Sequence, residues 1–98
     1  MNVEEALKEA RAAHDRDDDV EALRLFRIAA DQGDPDAQYT VGCRYGDGRG
    51  TLQDYAEAAK WFRRSAEQGD IKSLYSLGCY YYWGEGVPQD DVLAYMWL

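Results

Sequence analysis

Two cysteines, one histidine and a run of aspartates are the side chains of this sequence that could bind a metal ion. Cys43 and Cys79 stand 36 residues apart, His14 belongs to another part of the chain, and residues 15–19 contain four aspartates. Structural zinc requires about four ligands. A calcium loop of the EF-hand type requires a glycine and a distal glutamate that residues 15–19 lack, so this run is interpreted as a solvated turn with a helix cap. The sequence therefore predicts no metal and no cofactor.

Motifs that activate a nucleophile or hold a phosphate are missing from the sequence. It contains no Gly-x-Ser-x-Gly elbow, no Ser-x-x-Lys pair and no Gly-x-x-x-x-Gly-Lys loop. Each of these motifs supplies reactive or phosphate-binding groups at the spacing that the chemistry needs. We therefore predict no catalytic residues and a chain that is not an enzyme.

Charge and hydropathy limit the kinds of partner. The 98 residues include 19 acidic and 11 basic side chains, which give a formal charge of -8. This charge repels phosphate backbones, so nucleic acid is not an expected partner. The longest apolar run, residues 92–98, is far shorter than the roughly 18 residues of a membrane span, and the acidic start of the chain is unlike a secretory signal. We expect a cytoplasmic chain with no membrane partner.

A repeat of 36 residues organises the sequence. Residues 22–57 and 58–93 are identical at 15 of 36 positions, and Trp97 stands 36 residues after Trp61. Periods of about 20–50 residues are typical of solenoid proteins. A third copy thus begins near residue 94, and the chain ends inside it.

Apolar residues within each unit follow the helical period. Two helices of this kind are expected at residues 20–31 and 55–66, two more at 37–46 and 71–83, and an amphipathic helix precedes them with Val3, Ala6, Leu7, Ala10 and Ala13 on one face. Six helices, the last incomplete, and no strand predict an all-α fold. We divide this single domain, residues 1–98, into an abbreviated helix pair (1–33), a repeat (34–69) and a repeat truncated in its second helix (70–98).

Glycines and aspartates mark the expected helix ends. Gly33 suits a left-handed helix stop, Asp34 an N-cap and Pro35 the first helical position. Gly69-Asp70 repeats this junction, residues 46–50 and 84–88 are predicted loops, and Asp18 and Asp54 have the spacing of capping boxes. Gly42 and Gly78 fall in mid-helix, where glycine costs about 1 kcal/mol relative to alanine. Their recurrence predicts that a neighbouring helix passes too close for a side chain.

The spacing of these residues resembles the Sel1-like repeat, a relative of the tetratricopeptide repeat. The matching pattern is Ala-x3-Phe-Arg-x2-Ala-x-Gln-Gly-Asp, followed by Tyr-x-(Val/Leu)-Gly-Cys-x-Tyr-x2-Gly-x-Gly and Gln-Asp, over residues 22–98. The resemblance implies a right-handed superhelix of antiparallel helix pairs whose concave side is lined by the first helix of each unit. Members of this family typically act as scaffolds in signalling complexes, protein quality control and bacterial host interaction.

The sequence also departs from the family pattern. Thr51-Leu52 replaces the family-like Val87-Pro88, and Asp91 stands where the first copy has Tyr55. Some members staple each helix pair with a disulfide, but each complete unit here has one cysteine. Stacked helices lie about 8–10 Å apart, beyond the Cα separation of about 4.4–6.8 Å that a disulfide tolerates. Cys43 and Cys79 are therefore expected to be free thiols.

Analogy with tetratricopeptide units places the residues on either side of the glycine position in the groove. The predicted partner-binding residues are Tyr39, Cys43, Asp47, Lys72, Tyr75, Cys79, Tyr82 and Trp83. Aromatic side chains on a rigid wall are good anchors for an extended peptide. The alternative is that these tyrosines fill gaps between helices. The repeated large residues Phe26, Phe62, Tyr45, Tyr81, Trp61 and Trp97 are expected in the core.

We therefore expect a non-enzymatic scaffold that binds a peptide or a partner domain on its concave face. One alternative is self-assembly through the uncapped end formed by Tyr95, Met96, Trp97 and Leu98, because solenoids normally need a polar capping repeat. Another is a weak hydrolase of the β-lactamase type, an activity linked to some relatives but without a Ser-x-x-Lys pair here. Residues 1–36 carry a net charge of -6, which would suit a basic partner, although acidic helix caps give the same count.

Overall fold

Five α-helices of 13 residues each follow one another along the chain. The structure, a computed structural model, describes residues 1–84 and contains no strand within them. The helices are α1 (Val3–Asp15), α2 (Asp19–Asp31), α3 (Pro35–Asp47), α4 (Tyr55–Glu67) and α5 (Ile71–Trp83). The four helices with predicted bounds begin and end within two residues of them. The predicted all-α repeat fold is confirmed.

Several predicted features lie outside the described residues. They are the incomplete sixth helix, the remainder of the second glycine loop, the changes at Val87-Pro88 and Asp91, the core position Trp97, and the oligomer contact assigned to Tyr95, Met96, Trp97 and Leu98. The division of the chain at residues 33/34 and 69/70 stays a prediction.

Each of the five helices begins behind a capping side chain. The cap accepts a hydrogen bond of 2.8–3.2 Å from the backbone N–H three residues later, and the caps are Asn2, Asp18, Asp34, Asp54 and Asp70. Such caps contribute about 0.5–2 kcal/mol each. Gly33 and Gly69 follow α2 and α4 with left-handed φ angles of 98° and 88°. The predicted aspartate caps and glycine stops are confirmed.

The loop after α3 begins later than predicted. Residues 46–50 were expected to form it, but α3 continues through Asp47 and its C-cap is Gly48, with a φ of 70°. Gly46 lies in the last turn of the helix, where a Cβ would stand 2.6 Å from the hydroxyl oxygen of Tyr80. The absence of a side chain there leaves room for the Tyr80 side chain of α5, and Asp47 is the last residue of the longer helix.

The helices stack in chain order, with contacts between α1 and α2, α2 and α3, α3 and α4, and α4 and α5. Phe26, Trp61, Phe62 and Tyr81 are buried as predicted, while Tyr45 is only half-buried. The ring of Phe62 fills the space beside Gly42, since a Cβ there would stand 2.7 Å from a ring carbon. The predicted close approach of a neighbouring helix is thus confirmed at Gly42.

Some identical positions of the repeat make the same contact in both copies. Arg27 donates a hydrogen bond of 2.9 Å to the hydroxyl of Tyr45, and Arg63 donates one to the hydroxyl of Tyr81. In each copy the bond joins two helices that are consecutive in the chain. The repeated arginine and tyrosine therefore join α2 to α3 and α4 to α5 by the same contact.

Candidate functional site

A groove runs across α1, α3 and α5 and consists of two adjacent cavities. Both cavities are lined by Cys43 and Asp47 of α3. The first, which we call the aromatic cavity, has a volume of about 270 Å³ and is also lined by Gly46, Phe62, Tyr75, Ser76, Cys79, Tyr80 and Trp83. The second, which we call the arginine cavity, has a volume of about 240 Å³ and is also lined by His14, Phe26, Tyr39, Thr40, Arg44 and Arg49.

The aromatic cavity has a packed base and exposed walls. Phe62 is buried and packs edge to face with Tyr80, their ring centroids 5.5 Å apart. Tyr80 also packs edge to face with Tyr55 of α4 at 5.7 Å. In contrast, Tyr75 and Trp83 are 66% and 62% exposed. Two large aromatic side chains are thus presented to solvent beside a base that other side chains hold in place.

The arginine cavity contains a buried cation. The Arg44 side chain is 5% exposed and forms a 3.2 Å ion pair with Asp19. Its guanidinium also lies 2.9 Å from Nδ1 of His14 and 5.4 Å from the ring centroid of Phe26. Arg49 adds a second ion pair to Asp19 at 3.0 Å. The charge of Arg44 is therefore balanced by Asp19 of α2, while His14 of α1 contacts the same guanidinium; they lie 25 and 30 positions earlier in the chain.

Five of the eight predicted partner-binding residues line the aromatic cavity: Cys43, Asp47, Tyr75, Cys79 and Trp83. Tyr39 lines the arginine cavity and is half-buried, with its ring 5.7 Å from that of Phe62. Tyr39 therefore both faces the groove and fills space between helices, so the two interpretations of the tyrosines are not exclusive.

The other two predicted residues stand beside the cavities. Lys72 places its ammonium 4.8 Å from the ring centroid of Tyr39 and 3.7 Å from the carboxylate of Asp36. Tyr82 is 52% exposed and packs edge to face with Trp83 at 6.0 Å, but it is not among the residues that line either cavity. Lys72 extends the groove surface, and Tyr82 supports Trp83.

Both cysteines are free and half-buried. Burial raises the pKa of the Cys43 thiol above its ordinary value, and a hydrogen bond with Tyr39 only partly opposes this effect. Asp47 raises the same pKa further through its negative charge. Since the thiolate is the reactive form, this shift lowers the reactivity of Cys43, which contributes a weakly polar surface to the groove.

Sequence reasoning missed His14, Arg44, Arg49 and Tyr80. His14 was set aside because it belongs to another unit, yet it lines the arginine cavity together with Cys43. Arg44 and Tyr80 occupy the same position of the repeat, 36 residues apart. Because these two residues differ between the copies, the repeat pattern does not single them out, although each directly follows a groove-lining cysteine in the chain.

Asp19 is expected to make stability depend on pH. A hydrogen bond from Arg44 holds the pKa of Asp19 below its ordinary value; burial opposes this shift, and Arg49 adds to it. A carboxylate with a lowered pKa stabilises the folded state fully above its unfolded value of about 3.9, and this contribution is lost as the pH falls through the lowered pKa. Asp19→Asn should therefore be less stable than the parent chain at pH 7.

The test of this expectation is urea unfolding of both chains between pH 7 and pH 2. The difference in free energy of unfolding should shrink below about pH 4 and vanish once Asp19 is protonated, because a protonated aspartate and an asparagine are both neutral. A difference that stays constant down to pH 2 would show that Asp19 acts by its shape and not by its charge.

A further cavity lies over α2. It has a volume of about 450 Å³ and is lined by residues that include Val20, Arg24, Arg27, Tyr45 and Gly50. None of the eight predicted partner-binding residues lines it. Its lining includes the Arg27–Tyr45 pair that joins α2 to α3.

Among residues 1–84, no three or more His, Cys, Asp or Glu side chains lie close enough together to hold a metal ion. No helix in this part of the chain is both long and apolar enough to cross a membrane.

Known proteins match both the sequence and the fold. The sequence model described as Sel1 repeat matches residues 13–34, 35–70 and 71–98. A solved Sel1 repeat protein from Oxalobacter formigenes is 37% identical, with a TM-score of 0.88 and a match over 97% of this chain and 74% of that one. A protective antigen present in uropathogenic Escherichia coli strains, which displays an SLR fold, is 37% identical with a TM-score of 0.79 over 81% of this chain.

The two solved relatives differ in how much of their length the match covers. The match spans only 17% of the Escherichia coli antigen chain. No curated protein matches the sequence of this chain.

Proposed function

This chain belongs to the Sel1 repeat family, and from that premise we propose that it is a non-enzymatic scaffold that binds a peptide or a partner domain in the groove across α1, α3 and α5. Sel1 repeats typically serve as protein-interaction modules. The proposal assigns that role to a defined surface, made of the aromatic and arginine cavities.

The observation that carries the proposal is the exposure of two large aromatic side chains at the groove. Tyr75 and Trp83 are 66% and 62% exposed, although the removal of apolar aromatic surface from water lowers the free energy. Both side chains project from α5, and Trp83 is held by an edge-to-face contact with Tyr82. Aromatic anchors lose little conformational entropy on binding and are enriched among the residues that dominate binding energy. The groove is therefore suited to bury a partner's side chains.

The shape of the groove supports an extended ligand. Its two cavities lie side by side and have Cys43 and Asp47 in common, so neighbouring side chains of one extended peptide could occupy both cavities. The helices that line it are anchored by capped ends and by the buried core around Phe26 and Phe62. A preformed surface of this kind binds at a lower entropic cost than one that must fold on binding.

Alanine at Tyr75 or Trp83 is expected to weaken binding of a groove ligand by at least about 30-fold, the effect of losing one dominant anchor. The ligand would be a peptide selected from a random library on the immobilised chain, and its dissociation constant would be measured by titration calorimetry. Helical circular dichroism should stay unchanged, because truncation of an exposed side chain costs little stability.

The matched control is Ile71→Ala. Ile71 lies on the same helix and is 78% exposed, but it lines neither cavity. This variant should bind the selected peptide as the parent does. Equal losses for Ile71→Ala and Trp83→Ala, or loss of helix in Trp83→Ala, would count against the groove as the binding surface.

Two alternatives from the sequence stay predictions. Self-assembly was assigned to Tyr95, Met96, Trp97 and Leu98, which lie outside the described residues, and light scattering before and after a charged substitution at Trp97 tests it. Hydrolysis of the β-lactamase type is tested by turnover of a chromogenic lactam.

A further inference from the structure

We propose that the aromatic cavity binds a basic side chain, arginine or lysine, of the peptide partner. This inference rests on the proposed function, because it names the chemistry that the groove recognises. Its occupant is a peptide whose arginine or lysine enters between Tyr75 and Trp83 and meets the carboxylate of Asp47.

The charge of the aromatic cavity points to a cation. Asp47 is the one charged residue among the described residues that line it. The other polar lining groups are the hydroxyls of Ser76, Tyr75 and Tyr80 and the thiols of Cys43 and Cys79. A negative carboxylate beside exposed aromatic faces attracts an arginine or lysine through both the ion pair and the ring quadrupole.

The Asp47 carboxylate is available for a ligand. Within residues 1–84 it makes no hydrogen bond and no ion pair, and the residue is exposed. The two arginines of the neighbouring cavity, Arg44 and Arg49, instead pair with Asp19. Asp47 lines the groove together with Cys43 in both cavities. A partner's cation therefore has no intramolecular competitor to displace from Asp47 in this part of the chain.

A contribution to helix stability does not explain the presence of an aspartate at residue 47. It is the last residue of α3, where the partial negative charge of the helix end disfavours an acidic side chain. In the repeat, the position of Asp47 corresponds to that of Trp83, 36 residues later. One position of the unit thus supplies the carboxylate in the first copy and an aromatic wall in the second, and the two face the same cavity.

The groove already holds one cation in this way. The ammonium of Lys72 lies 4.8 Å from the ring centroid of Tyr39 and 3.7 Å from the carboxylate of Asp36. At this point of the groove, one lysine of the chain thus contacts both the face of a tyrosine and a carboxylate. Tyr75 is the repeat equivalent of Tyr39, and with Trp83 and Asp47 it offers the same pair of groups to a cation from outside.

The test uses peptides that bind the groove. Peptides are selected from a random library on the 98-residue chain, and those that lose binding to Trp83→Ala are kept. Each arginine is then replaced by citrulline and each lysine by norleucine, which remove the charge and keep most of the side chain. We expect one position in each peptide at which neutralisation raises the dissociation constant by at least about fivefold.

The Asp47→Asn variant shows whether the Asp47 carboxylate is the group that recognises the positive charge of the peptide. Against this variant, the same neutralisation should change the dissociation constant by less than about twofold, and the salt dependence of binding should weaken. The matched control is Asp15→Asn, which changes the exposed last residue of α1 and lines neither cavity. It should preserve both the fivefold effect and the salt dependence.

The outcomes separate this inference from the function on which it rests. Groove-binding peptides that need no basic residue, or a neutralisation effect that is equal in the parent and in Asp47→Asn, would overturn the inference and leave the interaction role intact. A chain that selects no peptide sensitive to Trp83→Ala would overturn both.

Discussion

Replacing Phe62 with alanine is expected to lower the free energy of unfolding by about 3–5 kcal/mol. Phe62 is 3% exposed, and its ring packs against Tyr39, Tyr80 and the backbone of α3 at Gly42. One side chain thus fills the space where α3, α4 and α5 meet. Because a domain is stable by only about 5–15 kcal/mol, the variant should lose a large part of its stability. Urea denaturation followed by far-ultraviolet circular dichroism measures the change.

A second substitution shows whether the loss comes from the packing at Gly42. In the parent chain, Gly42→Ala should be destabilising, since its Cβ would stand 2.7 Å from the Phe62 ring. Once Phe62 is alanine, the same change should stabilise the protein, because the ring is gone and alanine favours a helix over glycine by about 1 kcal/mol. Additive effects of the two substitutions would contradict the packing that we describe.

This packing also connects stability to the groove. Phe62 forms the buried base of the aromatic cavity, and Tyr80 stands on it. A chain that keeps its fold after a milder change, such as Phe62→Leu, should therefore bind a groove peptide more weakly than the parent. Because leucine keeps most of the buried apolar volume of phenylalanine, this change should cost less stability than Phe62→Ala, so binding can be measured on folded protein.

Gly50→Ala is expected to destabilise the protein by about 2–5 kcal/mol, the sum of a strained backbone and a steric overlap. Gly50 has a φ of 80°, and a Cβ there would stand 2.2 Å from the carbonyl oxygen of Asp19. That oxygen belongs to the backbone of α2, so it cannot move as the end of a flexible side chain can. The loop after α3 would have to leave α2, and the ion pair between Arg49 and Asp19 would be broken.

Gly33→Ala is the matched control for this change. Gly33 has a φ of 98°, but a Cβ there would meet no heavy atom within 4 Å. It should therefore cost only the backbone strain, about 1–2 kcal/mol. Thermal unfolding of the two variants gives the difference in stability. Equal losses of stability would mean that a Cβ at residue 50 does not collide with the backbone of Asp19.

Local features of the sequence were enough to predict the helices. The 3.6-residue period, the aspartate caps and the glycine stops act over three or four residues, so they do not depend on the rest of the fold. The 36-residue repeat then predicted the core, because a residue that recurs at the same helix position, as Phe26 and Phe62 do, meets the same environment in each unit. The exception is Tyr45, whose hydroxyl pairs with Arg27 at a half-buried edge.

The groove was predicted only in part, for a physical reason. Seven of the eight expected residues lie in it or at its edge, because their faces follow from helical spacing. Tyr82 differs, since it lines neither cavity and packs instead against Trp83. The end of α3 also differs, because Gly46 is helical where α5 approaches it through Tyr80. Both outcomes depend on how closely neighbouring helices pack.

The sequence by itself determined that this chain is a solenoid of Sel1 repeats, where its helices begin and end, and which side chains recur in its core. Only the tertiary structure decided that His14 and Asp19 meet Arg44 across 30 and 25 residues, and that Asp47 shares a cavity with Trp83. Such pairs form because stacking brings different units together, and an exact repeat of residues carries no information about contacts between positions at which the units differ.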